Sequence, residues 1–347
     1  KIMKCSCGKE YYPKFPEGVN NEINYDSSIQ SHIVYLNTRC NIPERQIAEY
    51  FHSATKGLLN ISPATVEHTV NDFCKKSEPI IQHIHSELID SPVLNSDETP
   101  IDINGKQKSV LGVFTESLSL TQAFDNRKLE SFKEMGILNV YTGISVHDHN
   151  SIHSSFLLST QGECNAHPLR ETKGIGLRET YEGMIAWEKL MLEANDLVKQ
   201  YKQAGKANVE KDIYEDFKFR YLKCLDICDE EYIIRVKGKN ADYFADERKL
   251  KSRLRKYVDD HLRFLSDFRV PFTNNLAERG LRHVKVKLKI IGSFRSLKGA
   301  KNYCTARSIL DTCTKQKVDI FDSIENIFKG NLEIFEFQRC KTKEHVA

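Results

Sequence analysis

The sequence predicts a mixed α/β protein: a sheet with flanking helices, interrupted by a large helical insertion and preceded by a small helical domain. Three observations predict it. Short strand-like runs separated by turns occupy residues 92–146. Long, charge-rich stretches almost without proline follow across residues 177–268, and three amphipathic stretches with capping signals precede residue 85. At 347 residues with 40% apolar content the chain can build two or three cored domains. No apolar run approaches the roughly 18 residues needed to cross a bilayer, and the first residues carry no secretory pattern, so a soluble cytoplasmic protein is expected. The ten cysteines are scattered, which argues for reduced thiols. A net charge of +3 is too small to announce nucleic acid, so such a partner has to be argued from where the charges cluster.

Residues 27–37 and 43–52 read as amphipathic helices, and Ser62-Pro63 supplies an N-cap and a first-turn proline for a third, with Gly57 in the intervening turn. Three short helices around a glycine turn fit a helix-turn-helix-like DNA reader over residues 13–85, its third helix starting near Ala64. A small bundle used only for packing or dimerisation fits equally well. From residue 92 the pattern changes to strands at 92–97, 101–103, 109–115 and 118–124, with an Asn104-Gly105 turn, then a helix at 127–135 ending on Gly136 and a strand at 140–146. Strands, then a helix, then a returning strand is the opening of an RNase H-like core. If the last strand lies beside the first, Asp97 and Asp148 meet at neighbouring strand ends. The stretch from there to the next charged motif is too long for one crossover, so a helical insertion is placed at residues 168–270. The resulting division is 1–12, a short leading segment; 13–85, helical; 86–167 and 271–330, the two parts of the core; 168–270, the insertion; and 331–347, a tail.

Asp97, Asp148 and Glu278 are the acids that carry chemistry in this reading. Hard divalent cations prefer carboxylate oxygens, and two such ions about 3.5 to 4 Å apart can promote in-line displacement at a phosphodiester. Alone, each aspartate also reads as a turn or helix cap; only the set distinguishes them. Glu98 adjoins Asp97 but points to the opposite strand face. Glu278 opens a helix on which Arg282, Lys285 and Lys289 fall within about 40° of it, while Leu281, Val284, Leu288 and Ile291 form a separate apolar stripe. Arg279, Arg295 and Lys298 extend the positive charge, which suits phosphate positioning beside a metal ligand.

Four motifs in order, Ser96-Asp97-Glu98-Thr99, Tyr141-Thr142-Gly143-Ile144-Ser145-Val146-His147-Asp148, Cys164-Asn165-Ala166-His167-Pro168-Leu169-Arg170-Glu171 and Phe272-Thr273-Asn274-Asn275-Leu276-Ala277-Glu278-Arg279, resemble the catalytic region of the bacterial insertion sequence 66 transposases over roughly residues 20–325. The resemblance implies a DDE transposase with an RNase H-like core and a metal-binding triad at Asp97, Asp148 and Glu278. It also implies two Mg²⁺ ions replaceable by Mn²⁺, DNA as partner, a homo-oligomer assembled on DNA, accessory proteins of the same element, and a nucleoid location. The chain departs from the family in having Ser109 where members often have tryptophan, and His149 where a glycine follows the second aspartate. Cys5-Ser6-Cys7-Gly8 resembles half of a zinc module; two thiolates cannot close a tetrahedral site, which argues against Zn²⁺ there. Cys164 and His167 would need two further ligands for zinc, for which Cys224 and Cys228 are the candidates at helical spacing; a supporting role near Asp148 is the alternative. Trp187, the single tryptophan, is expected in the core of the insertion, with base stacking as the other reading. Two other functions remain open on the sequence: a domesticated, inactive DNA-binding protein, and a structure-selective nuclease.

Overall fold

A computed structural model describes residues 3–4, 6–11, 25–150, 152–177, 180–237 and 241–332. The chain divides into two compact units. The first is Lys1–Lys76 with Ile320–Ile334, and the second is Ser77–Asp319 with Phe335–Ala347. Residues 333–347 of the expected tail, residues 13–24 of the expected helical domain, and Cys5 lie outside the described residues.

In the first unit a two-stranded hairpin, β1 (Met3–Lys4) with β2 (Glu10–Tyr11), precedes three helices, α1 (Ser27–Val34), α2 (Glu44–Ala54) and α3 (Pro63–Lys76). Local chemistry sets their starts. The Asp26 carboxylate accepts from the Ile29 N–H at 3.0 Å, and the Ser62 hydroxyl accepts from Thr65 at 3.0 Å just ahead of Pro63. Gly57, between α2 and α3, has φ +83°, a left-handed turn that favours glycine. Ile33, Ile47, Phe51, Ile61 and Val66 form the unit's core. A fourth helix, α14 (Ile320–Lys329), joins them from the far end of the chain: Phe321 meets the His32 ring at 4.6 Å and Phe328 meets Phe73 at 5.8 Å. The sequence pattern places this segment in the second part of the core, 271–330, whereas its apolar face packs with the first unit.

The second unit opens with α4 (Glu78–Ile89) and is built on β3 (Val93–Ile103), β4 (Lys106–Phe114), β5 (Ser119–Phe124), β6 (Ile144–His147) and β7 (Thr160–Glu163), with α5 (Leu129–Glu134) between β5 and β6. The five strands form one mixed sheet in the order β5-β4-β3-β6-β7. Pairing is antiparallel from β3 to β5 and parallel from β3 through β6 to β7. Two expectations are corrected here. The predicted strands at 92–97 and 101–103 are one strand, because pairing with β4 runs unbroken through Pro100, opposite Ser109. Beyond Ser96 the other edge of β3 has no β6 partner, so a residue without an N–H costs little there. The strand predicted at 140–146 begins only at Ile144, since Tyr141 closes a helical turn with its N–H on the Ile137 carbonyl at 3.0 Å. The Tyr141 ring then lies across Gly143 and its hydroxyl donates to the Ser91 carbonyl at 2.8 Å.

After β7 come α6 (Ala166–Gly176), α7 (Glu182–Gln203), α8 (Lys211–Val236), α9 (Ala245–Lys256), α10 (Val258–His261) and α11 (Arg263–Ser266). The last part of the charge-rich stretch, from Ala245 to Ser266, is thus three short helices. The fully buried Trp187 packs edge-on against Tyr221 at 5.8 Å in the core of these helices, which removes it as a surface for stacking a base.

Two helices then return to the sheet. Helix α12 (Asn275–Ile291) lies over β3 and β4, and α13 (Leu297–Gln316) covers β5. The hydroxyls of Ser308 and Thr312 accept from the backbone N–H groups of Thr121 and Ser119 at 2.9 and 3.1 Å, so side chains of α13 occupy the open edge of the sheet.

Candidate functional site

Strand register brings Asp97 and Asp148 together. Ser96 pairs with His147 in parallel, so the next residue on each strand, an aspartate in both cases, leaves the last shared rung on the same face. Val146 pairs with Gly162, which puts Cys164, two residues past Gly162, on that face as well. On β4 the matching face carries Gly112 and Phe114, and α12 packs against it, so Glu278 in its first turn belongs to the same side of the sheet. Glu98 points to the other face, where its carboxylate accepts from Asn150 at 2.7 Å and pairs with Arg127.

Helix α6 links two of the acids. The Nδ1 atom of His167 lies 3.3 Å from Asp148 Oδ1, its Nε2 lies 4.0 Å from Glu278 Oε1, and Arg170 donates to the same glutamate oxygen at 3.2 Å. Asp97 is coupled to Asp148 by charge and also feels Lys285 of α12. Burial first, and the neighbouring Asp148 charge second, raise the Asp97 carboxyl to about 6. The bond to Asp148 and then that to Cys164 raise the His167 imidazole to about 10, so it is cationic at neutral pH. Two like charges crowded at a half-buried spot are what a divalent cation relieves, and carboxylate oxygens are the donors a hard cation takes, so Asp97 and Asp148 suit such an ion, whereas Glu278 is tied to Asp148 only through His167.

The basic residues named from the sequence divide into two groups. Arg279, Arg282, Lys285 and Lys289 are exposed along α12, with Lys285 near enough to act on Asp97. Arg295 and Lys298 are also exposed, but the segment they belong to is zipped to the far end of β3. Phe294 donates to the Asp102 carbonyl at 3.0 Å and accepts from Asn104 at 3.3 Å. Ile103 is six residues from Asp97, about 20 Å along a strand, so these two cations flank the acids at a distance.

Among the described residues, one group of metal-type ligands has its atoms within 4.8 Å of one another: Asp148, Cys164 and His167. The proposed completion by Cys224 and Cys228 is corrected. They sit on α8 in the core around Trp187, where burial raises both thiols, Cys228 to about 12, and disfavours the thiolate that zinc needs. Buried Cys164 instead accepts from the Asn274 N–H at 3.1 Å. His149, where the family resemblance expects glycine, binds Glu163 at 3.0 Å and meets the Tyr257 ring at 5.0 Å, fastening the end of β7. Ser109 donates to the Asn126 carbonyl at 2.7 Å, a use for the hydroxyl that a tryptophan would not supply. Sequence reasoning missed the pair Asn95 and Asn274. Nothing in strand or helix periodicity marks two asparagines 179 positions apart as partners, yet they bond at 2.9 Å beneath the acids.

The crowding of Asp97 gives a prediction for protein kept free of divalent ions. A carboxyl raised from 3.8 to about 6 binds protons more tightly folded than unfolded, so its destabilising effect is absent at pH 4, grows through pH 6 and is complete above it. Asp97→Asn should therefore raise stability at pH 7.5, by no more than about 3 kcal/mol, with the gain gone near pH 4. Thermal melts across that range check it, and a gain independent of pH would reject the charge explanation.

The fold and site together define a class, a mixed α/β protein with two aspartates side by side where the parallel pairing of β3 and β6 ends, on the face that a basic helix covers. A family model described as Transposase IS66 family matches residues 22–302, and the chain belongs to that family, one of DDE transposases. A search of curated proteins gave no match. Among the described residues no helix is long and apolar enough to cross a membrane.

Proposed function

We propose that this protein is an active DDE transposase that cuts the ends of its element and joins the freed 3′ hydroxyl to target DNA, using an RNase H-like core. The observation that carries the proposal is the register that sets Asp97 and Asp148 side by side on the face covered by the Glu278 helix. The strand order, three antiparallel strands and two parallel ones added beside the first, supports the RNase H-like reading. Two Mg²⁺ or Mn²⁺ ions bound by the triad would supply charge neutralisation for the attacking and leaving oxygens in both displacements.

The chain's own residues do the rest. Asp97, Asp148 and Glu278 would hold the ions, with Asp97 as the shared ligand, and His167 and Arg170, which lie against Asp148 and Glu278, would have to release those oxygens. Arg282, Lys285 and Lys289 hold the phosphate backbone, with Arg279 beside them and Arg295 and Lys298 extending the track. The helices of the first unit add DNA contact, the protein assembles as an oligomer on two element ends, and it acts in the bacterial nucleoid with accessory proteins of the element.

The deciding assay offers purified protein a duplex carrying element ends, a supercoiled target and Mg²⁺. Joined products support transposition, cleavage without joining supports a nuclease, and retention without cleavage supports a domesticated binder. For the basic face, Lys285→Ala should weaken binding equally across sequences and lower the slope of log K against log salt by about 1. An unchanged slope would remove Lys285 from the backbone contacts.

A further inference from the structure

We propose that Asn274, outside the acidic triad, is a positioning residue that sets the orientation of Asp148 and the spacing of the acids, with Asn95 fixing its amide. The assignment rests on the reading of the triad as a divalent-ion site.

Asn274 is fully buried at the junction of every element that contributes an acid. Its side-chain N–H₂ group donates to the Ser96 carbonyl at 2.8 Å, immediately before Asp97, and lies 3.5 Å from Asp148 Oδ1. Its side-chain oxygen accepts from Asn95 at 2.9 Å. Its backbone N–H donates to Cys164 at 3.1 Å, and its carbonyl accepts from the Glu278 N–H at 3.2 Å, closing the first turn of α12. One residue thus joins β3, the ends of β6 and β7, and the helix of Glu278. Two acceptors face its nitrogen and one donor faces its oxygen, so the network itself selects this orientation of the amide.

The chemistry needs such a part. A carboxylate that binds a cation is held in place by hydrogen bonds to its remaining lone pairs, and loss of such a partner typically weakens metal binding by about 10- to 100-fold. The Asp148 bond is long and the Ser96 bond short. Asn274 therefore acts chiefly as a brace on the strand before Asp97, with one N–H kept toward Asp148.

The test is calorimetric titration of Mn²⁺ into wild-type, Asn274→Ala and Asn95→Ala proteins, with thermal melts in chelator beside it. Asn274→Ala should weaken Mn²⁺ binding about 10- to 100-fold and lower cleavage at limiting Mn²⁺ more than at saturating Mn²⁺. Asn95→Ala, which frees the amide to rotate, should weaken binding in the same sense by a smaller factor. It decides the matter alone if Asn274→Ala does not fold. A lower melting temperature with unchanged Mn²⁺ affinity in the variants would overturn the assignment and leave the triad reading standing. A wild-type protein that takes up no Mn²⁺ would overturn both.

Discussion

Asp148→Ala is expected to lose end cleavage and strand transfer together, each by at least about a thousandfold, while remaining folded. A thousandfold corresponds to about 4 kcal/mol of transition-state stabilisation, in keeping with the several kcal/mol that a divalent ion contributes at a phosphoryl oxygen. The structure says why folding should survive. Asp148 lies one residue beyond β6, its contacts are to His167 and a long one to Asn274, and its charge disfavours ionised Asp97. Removing it relieves Asp97 but also takes away the partner that holds His167 cationic, and the two effects oppose each other, so melts in chelator at pH 7.5 should show little net change. Matched single-turnover assays of both steps are the measurement, and cleavage retained within tenfold of wild type would end the triad reading. Loss of one step alone would mean that the two displacements use different centres.

Gly280→Val is expected to destabilise the second unit by about 2 to 3 kcal/mol and to disable the site in the molecules that still fold. A Cβ at Gly280 would stand 2.4 Å from the Phe114 ring, and one at Gly112 would stand 2.4 Å from the same ring on its strand side. Phe114 is thus a wedge between two glycines, and α12 reaches β4 as closely as it does because neither carries a side chain. Valine there must push the helix outward, and Glu278, two residues earlier on α12, moves with it. Better helix propensity than glycine offsets a part of this, about half a kcal/mol. The melting temperature should fall by roughly 5 to 10 °C. Phe114→Leu in the valine background should restore some of it, and a double-mutant cycle without coupling would show that the wedge is not the cause.

Much of this site was legible because its residues have local signatures. The acids end or interrupt apolar runs, and the α12 stripes follow from a 3.6-residue period, which the burial of Leu281 and Val284 and the exposure of Lys285 and Lys289 bear out. The helices between β7 and α12 were legible because long charged stretches without proline form little besides helix. The brace was not, since Asn95 and Asn274 act through a bond between distant segments, and an asparagine alone reads as a turn or cap. Nor was the continuity of β3 through Pro100, where a local breaker is tolerated only because the neighbouring strand has already ended. His167 was singled out for its spacing from Cys164, but its reach to both Asp148 and Glu278 depends on where α6 is docked.

The return of α14 to the first unit bears on how this chain is made. Rings of Phe321 and Phe328 complete a core begun by His32 and Phe73. The bundle of α1 to α3 therefore waits for its last member until the whole sheet and its following helices have been synthesised, although its other helices are made before them. For the same reason a truncation at residue 319 that spares the entire sheet would strip the core of the first unit, and its harm would surface among helices encoded far earlier in the sequence.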